Sequence, residues 1–120
     1  MKMLQNKRKI GADYENMAGE YFQLLVYEII EYNFYSRTGE IDIVARNEGY
    51  LVFVEVKYRD SDRTGHPLEA VSATKQKKLS KCAAYYLKTH NLYNVPVRFD
   101  VVGILGDEIQ VVQNAFDFVC

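Results

Sequence analysis

Gly39-Glu40-Ile41-Asp42-Ile43-Val44-Ala45-Arg46-Asn47-Glu48-Gly49-Tyr50-Leu51-Val52-Phe53-Val54-Glu55-Val56-Lys57-Tyr58 is the stretch whose reading decides the fold. Its first part, Glu40 to Ala45, alternates polar and apolar residues, the period of a strand. Asn47-Glu48-Gly49 is a turn signal, because these residues accept the backbone that tight turns require. Tyr50 to Tyr58 is then the strongest strand of the chain. Leu51, Val52, Phe53, Val54 and Val56 make it apolar on both faces, as befits a central strand covered on both sides. So short a turn pairs the two strands antiparallel.

Working outward, apolar residues recur at helical spacing from Ile10 to about Val26: Ile10, Tyr14, Met17, Ala18, Tyr21, Leu24 and Leu25. Residues 1–9, with Lys7, Arg8 and Lys9, read as a flexible basic arm ahead of a single domain spanning 10–120. Tyr27 to Phe34 reads as a strand, closed by the turn Arg37-Thr38-Gly39. Beyond the central strand, Arg59 to His66 is a polar loop. Pro67 opens a helix that runs to about Lys88 with a break near Ser72-Ala73, and Leu79, Cys82, Ala83, Tyr86 and Leu87 form its core stripe. Val97 to Leu105 and Ile109 to Val112 are two further strands joined at Gly106-Asp107. The order αβββαββ predicts an α/β fold bordering on α+β: a mixed five-stranded sheet flanked by helices.

The length of 120 residues suits one domain, and a chain that is 48% hydrophobic and 26% charged has the composition of an ordinary globular protein. A net charge of −1 excludes the global basic field of many nucleic-acid binders, so any such surface must be local. Two clusters qualify, Lys7 to Lys9 and Lys75, Lys77, Lys78 and Lys81; a solvated face is the alternative reading of each. Cys82 and Cys120 show neither metal spacing nor a disulfide framework, and Cys82 lies on a helical apolar stripe as a buried thiol. The pattern fits a reducing, cytoplasmic setting. No signal-peptide core and no apolar run near the ~18 residues of a membrane span occur, so no membrane association is expected.

The chemistry concentrates on Glu55 and Lys57, which alternation places on one face of the central strand. A carboxylate and an ammonium in an apolar strand are costly unless they pair or bind something. With Glu48-Gly49 as a two-residue loop, Asp42 lies opposite Glu55 and Glu40 opposite Lys57, all on that face. A three-residue loop would put Asp42 on the wrong side unless a bulge restored it. Two readings follow. In one, Lys57 forms a buried ion pair with Glu40 or Glu55 and no metal is involved. In the other, Asp42 and Glu55 hold a hard cation, magnesium or manganese, which polarises a phosphodiester while Lys57 assists the attacking water.

The runs Gly39-Glu40-Ile41-Asp42 and Phe53-Val54-Glu55-Val56-Lys57-Tyr58-Arg59 resemble the PD-(D/E)xK nuclease superfamily, and more closely the YraN-type family of small bacterial predicted endonucleases. The likeness extends to Gly11, Glu15 and Ala18, to Asn33, to Gly65, Pro67, Glu69, Ala70 and Val71, and to Lys75 through Leu79. It continues at Arg98-Phe99-Asp100-Val101-Val102 and Asn114-Ala115-Phe116. The resemblance implies a restriction-endonuclease-like fold, similar to archaeal Holliday-junction resolvases, and metal-dependent hydrolysis of DNA, branched or damaged DNA included. It further implies metal binding by Asp42 and Glu55 with Glu15 as an added ligand, catalysis by Lys57, substrate contacts from Lys75, Gln76 and Arg59, and a homodimer. Family members often carry arginines beside Asn33, where this chain has Tyr32 and Tyr35. The rival reading is a non-catalytic nucleic-acid- or protein-binding module that keeps the fold.

Overall fold

A computed structural model describes residues 7–61, 63, 65–69 and 71–119 of the chain. The elements are α1 (Lys7–Leu24), β1 (Glu28–Ser36), β2 (Gly39–Asn47), β3 (Tyr50–Arg59), a 3₁₀ turn (Pro67–Glu69), α2 (Ala73–Thr89), β4 (Val97–Leu105) and β5 (Glu108–Phe116). The strands form one sheet in the order β1-β2-β3-β4-β5. Neighbours are antiparallel except β3 and β4, which run parallel because α2 carries the chain back across the sheet. The mixed sheet and the order αβββαββ are those expected.

Each face of the sheet buries its own core. On one side Ala18 and Phe22 of α1, with Tyr27, pack on Ile43, Ala45, Val52, Val54, Val102 and Ile104. On the other, Leu79, Cys82, Ala83 and Tyr86 of α2 pack on Ile41, Val44, Leu51, Phe53 and Phe99. β3 therefore supplies both layers, which is why its sequence reads apolar without alternation. Close approach needs small residues at two places. A Cβ on Gly19 would collide with the hydroxyl of Tyr32, and one on Gly103 would come within 2.9 Å of Leu68 in the 3₁₀ turn.

Some boundaries differ from the expectation. α1 starts at Lys7 rather than Ile10, so Lys7 to Lys9 belong to its first turn; residues 1–6 of the expected arm lie outside the described residues. The break near Ser72 is complete. Ser72 caps α2, its Oγ accepting from Lys75 N at 3.1 Å, and only a 3₁₀ turn precedes it. β5 extends to Phe116 through the polar pair Gln113-Asn114, which period reading had taken as its end. Cys82 is buried as expected, while Cys120 lies outside the described residues.

Candidate active site

The β2–β3 hairpin has the two-residue loop, with Asn47 opposite Tyr50 and pairing continuing to Ile43 opposite Val54. An unbroken ladder would next send the Val56 N–H to the carbonyl of Ile41. Instead Val56 N donates to Asp42 Oδ2 at 2.8 Å. The cause lies in which core each neighbour joins. Ile43 packs on the α1 side and Ile41 on the α2 side, although alternation should give them one face. β1 does the same: Tyr32 packs on the α1 side and Phe34 on the α2 side. Between those two, Asn33 has a left-handed backbone, φ 56°, which asparagine tolerates better than most residues.

Tyr32 still faces Ile43 and Phe34 still faces Ile41, so β1 and β2 turn over together at Asn33 and Asp42. β3 does not follow, for Val54, Val56 and Tyr58 all stay on the α1 side. β2 thus peels away from β3, and the Asp42 carboxylate fills the gap by taking the orphaned N–H. This is the physical origin of the site.

Around the gap acidic groups converge. Ligand oxygens of Glu15, Glu40 and Asp42 lie within 4.8 Å of one another. The Asn33 amide, oriented so that its oxygen and nitrogen both find suitable partners, donates to Glu15 Oε1 at 2.7 Å and Glu40 Oε2 at 3.3 Å. Glu55 stands outside this triad, and its Oε2 meets Lys57 Nζ at 3.2 Å and Lys75 Nζ at 3.5 Å. Asp42 and Glu55 are only 8% and 5% exposed, so their charges are largely withdrawn from water. Lys75 occupies the first turn of α2, which contains no acidic residue, so its charge opposes the helix dipole. Glu55 supplies the missing negative partner.

The electrostatics record the crowding. Burial first, then the negative charges of Glu55 and Glu15, push the Asp42 carboxyl up to about 9 against the opposing Val56 N–H. Glu15 is raised as well, by burial and by the charges of Glu40 and Glu55, with its contacts to Asp42 and Asn33 opposing. Without a cation, the crowding favours a proton on the Glu15–Asp42 pair, most strongly at the more buried Asp42. Three convergent carboxylates are the donor set of a hard, oxygen-loving dication, and the residues present fit magnesium or manganese.

The structure brings Asp42, Glu55 and Lys57 into one neighbourhood, with Glu15 against Asp42. Lys75 reaches the same region through Glu55. Gln76 does not share it: its amide donates to the Val71 carbonyl at 3.2 Å and it lines a separate pocket with Leu68, Val101 and Phe116. Arg59, at the end of β3, turns back to the Tyr58 carbonyl at 3.1 Å. Two contributors escaped the sequence reading. Glu40 belongs to the carboxylate triad instead of facing Lys57, because β2 turns over. Asn33 braces Glu15 and Glu40. Asparagine inside a strand was the signal for the second.

A second polar cluster sits where β2 and β3 meet their turn. Arg98 Nε and Nη2 grip Asp100 at 2.9 Å each, and Nη2 also reaches Tyr27 Oη at 2.9 Å and Asn47 Oδ1 at 2.8 Å. Tyr27 donates to Asp100 at 2.6 Å, Gln113 donates to Tyr27 at 2.8 Å, and Asn114 N donates to Asp100 at 2.9 Å. Burial and the hydrogen bond to Asp100 push Tyr27 up to about 12.

Fold and site together define a small mixed-sheet protein whose broken hairpin gathers buried carboxylates and lysines. Within that class the chain belongs to the family described as Uncharacterised protein family UPF0102, which matches residues 14–104. A UPF0102 protein of Lachnoclostridium phytofermentans is 47% identical, over 93% of this chain and 96% of its own length. A UPF0102 protein of Syntrophus aciditrophicus is 43% identical over 97% and 94%, and UPF0102 protein FN1370 of Fusobacterium nucleatum is 38% identical over 91% and 92%. Among the described residues no helix is long and apolar enough to cross a membrane.

Proposed function

We propose that this chain is a metal-dependent endonuclease that hydrolyses phosphodiester bonds in DNA, branched or damaged DNA among the candidate substrates. The observation that carries the reading is the carboxylate gathering at the broken hairpin, which forces a proton onto Asp42 where a dication would relieve it. Asp42, Glu15 and Glu40 would hold magnesium or manganese, with Glu55 alongside. A dication there supplies charge to polarise a phosphodiester and to acidify water.

The chain's own residues do the rest. Lys57, 24% exposed, lies at the border between the buried carboxylates and solvent, where it can orient a water or meet charge on a phosphate. Glu55 Oε2 meets both that ammonium, at 3.2 Å, and the Lys75 ammonium, at 3.5 Å. The site thereby places negative groups for a cation beside positive groups for a phosphate.

The test is incubation of the purified protein with duplex, single-stranded and four-way-junction DNA in magnesium, manganese or EDTA. Metal-dependent cleavage should appear and should fall by about a hundredfold or more in Asp42→Ala and Lys57→Ala. Cleavage equal in the variants and the parent, or cleavage in EDTA, would overturn the assignment. DNA binding without cleavage in every metal would favour a non-catalytic module.

A further inference from the structure

We propose that a groove beside the carboxylate site binds an unpaired nucleic-acid strand, with phosphates on Arg37 and Lys81 and a base stacked on Tyr85. The inference rests on the reading of the chain as a DNA enzyme and names the strand it holds. The groove has a volume of about 510 Å³ and runs between the β1–β2 turn, at Ser36, Arg37 and Thr38, and α2, at Lys81 and Tyr85. Both cations are exposed, and Tyr85 leaves 51% of its surface to solvent.

The walls are fixed from below. Ser36 Oγ donates to the buried Cys82 Sγ at 3.2 Å, and Cys82 in turn donates to the Gly39 carbonyl at 3.6 Å. These contacts tie the turn to the helix, so the two cations stand on a preformed frame. The Tyr85 ring has Phe34 as a tilted aromatic neighbour, with centroids 6.1 Å apart. Gly39, whose carbonyl Cys82 contacts beneath the groove, is followed along β2 by Glu40 of the carboxylate triad. Helical spacing adds Lys78 and Lys88 to the Tyr85 flank of α2, continuing the basic strip beside the groove.

The ligand class follows from this mixture. Phosphates explain paired cations on a chain whose net charge is −1. An exposed tyrosine among them suits a base face, which is available in a single strand and hidden in a duplex. A strand following that strip along α2 would be carried toward Lys75, whose ammonium meets Glu55.

Binding of labelled oligothymidine and of a duplex is measured in EDTA by fluorescence anisotropy, for the parent, Tyr85→Ala, Tyr85→Phe and Arg37→Ala/Lys81→Ala. Tyr85→Ala should weaken single-strand binding about fivefold or more while leaving duplex binding unchanged, and Tyr85→Phe should restore it. The double variant should lower the salt slope of single-strand binding by about 1.4, at about 0.7 for each phosphate contact. No single-strand binding, binding indifferent to all the variants, or equal loss on duplex would overturn the groove. Metal-dependent cleavage with an indifferent groove leaves the nuclease standing. A working groove without cleavage in any metal removes the nuclease and keeps the groove.

Discussion

The two polar clusters of this sheet both bury carboxylates, Asp100 in one and Asp42 and Glu55 in the other, and are oppositely resolved. At the turn end of the hairpin, one guanidinium, Arg98, meets one carboxylate, Asp100, which is 1% exposed and saturated by Tyr27 and the Asn114 N–H. At the broken end, the carboxylates of Glu15, Glu40 and Asp42 crowd one another, while Glu55 meets the ammonium groups of Lys57 and Lys75. The first cluster is closed: charge balances and donors find acceptors. The second carries more negative than positive groups and protonates Asp42 to survive. Burial of charge alone does not mark a functional site, since a structural network looks the same by that criterion. Imbalance is the better pointer, because an uncompensated acidic cluster costs stability that a bound cation would return.

Removing an acid from each cluster should therefore have opposite effects. Asp100→Ala leaves Arg98 buried without its partner and should cost about 3–5 kcal/mol in denaturant unfolding. Asp42→Asn keeps an acceptor for the Val56 N–H while deleting a forced proton, and should leave the metal-free protein as stable or more so. A larger loss at Asp42 than at Asp100 would erase the distinction. Magnesium sharpens it from the other side. At a hundred times its dissociation constant it should raise unfolding stability by about 2.7 kcal/mol, a gain read by thermal shift and absent in Asp42→Asn.

The pH response is smaller and separates the clusters by window. The Asp42 carboxyl lies at about 9 in the folded chain against 3.8 in an ordinary setting, so between these values the folded state keeps a proton that the unfolded state releases. Its stabilising contribution is complete below 3.8 and is lost as pH climbs toward 9, at up to about 1.4 kcal/mol per unit. Tyr27, raised from 10.0 to about 12, has the same sign but acts only above pH 10. Denaturant midpoints from pH 5 to 9 should fall in the metal-free parent and flatten in Asp42→Asn. A slope unchanged by that substitution would place the titration elsewhere.

Much of this was legible in the sequence, for reasons visible in particular residues. β3 announced itself because both its faces are buried, and the Glu48-Gly49 loop set the hairpin register as far as Ile43 opposite Val54. Lys57 beside Glu55 followed from alternation. Glu40 did not, because strict alternation places it opposite Lys57 and only the joint turnover of β1 and β2 sends it to Glu15. That turnover depends on contacts between two strands and two helices, which no single-strand period contains. The length of β5 was hidden likewise: Gln113 and Asn114 read as a polar end, whereas Tyr27 and Asp100 bind them in place. The family resemblance pointed to Glu15, which its position on α1 alone would have left as a solvated glutamate.

Asn33 is the finest test of how the broken end is built, since it contributes both a backbone and a side chain. Its left-handed φ of 56° costs an alanine about 1–2 kcal/mol and a glycine almost nothing. Its amide braces Glu15 and Glu40, a contribution that either substitution removes. The two variants lose the same hydrogen bonds and differ in backbone strain. Asn33→Gly should therefore be the more stable of the pair by about 1 kcal/mol, and their unfolding curves separate the two roles. Both should weaken magnesium binding by a similar factor in calorimetric titration, because the brace acts on the carboxylates and not through the strain. If Asn33→Gly retained parental magnesium affinity while Asn33→Ala lost it, the turnover of β1, not the amide, would be what holds the carboxylates together.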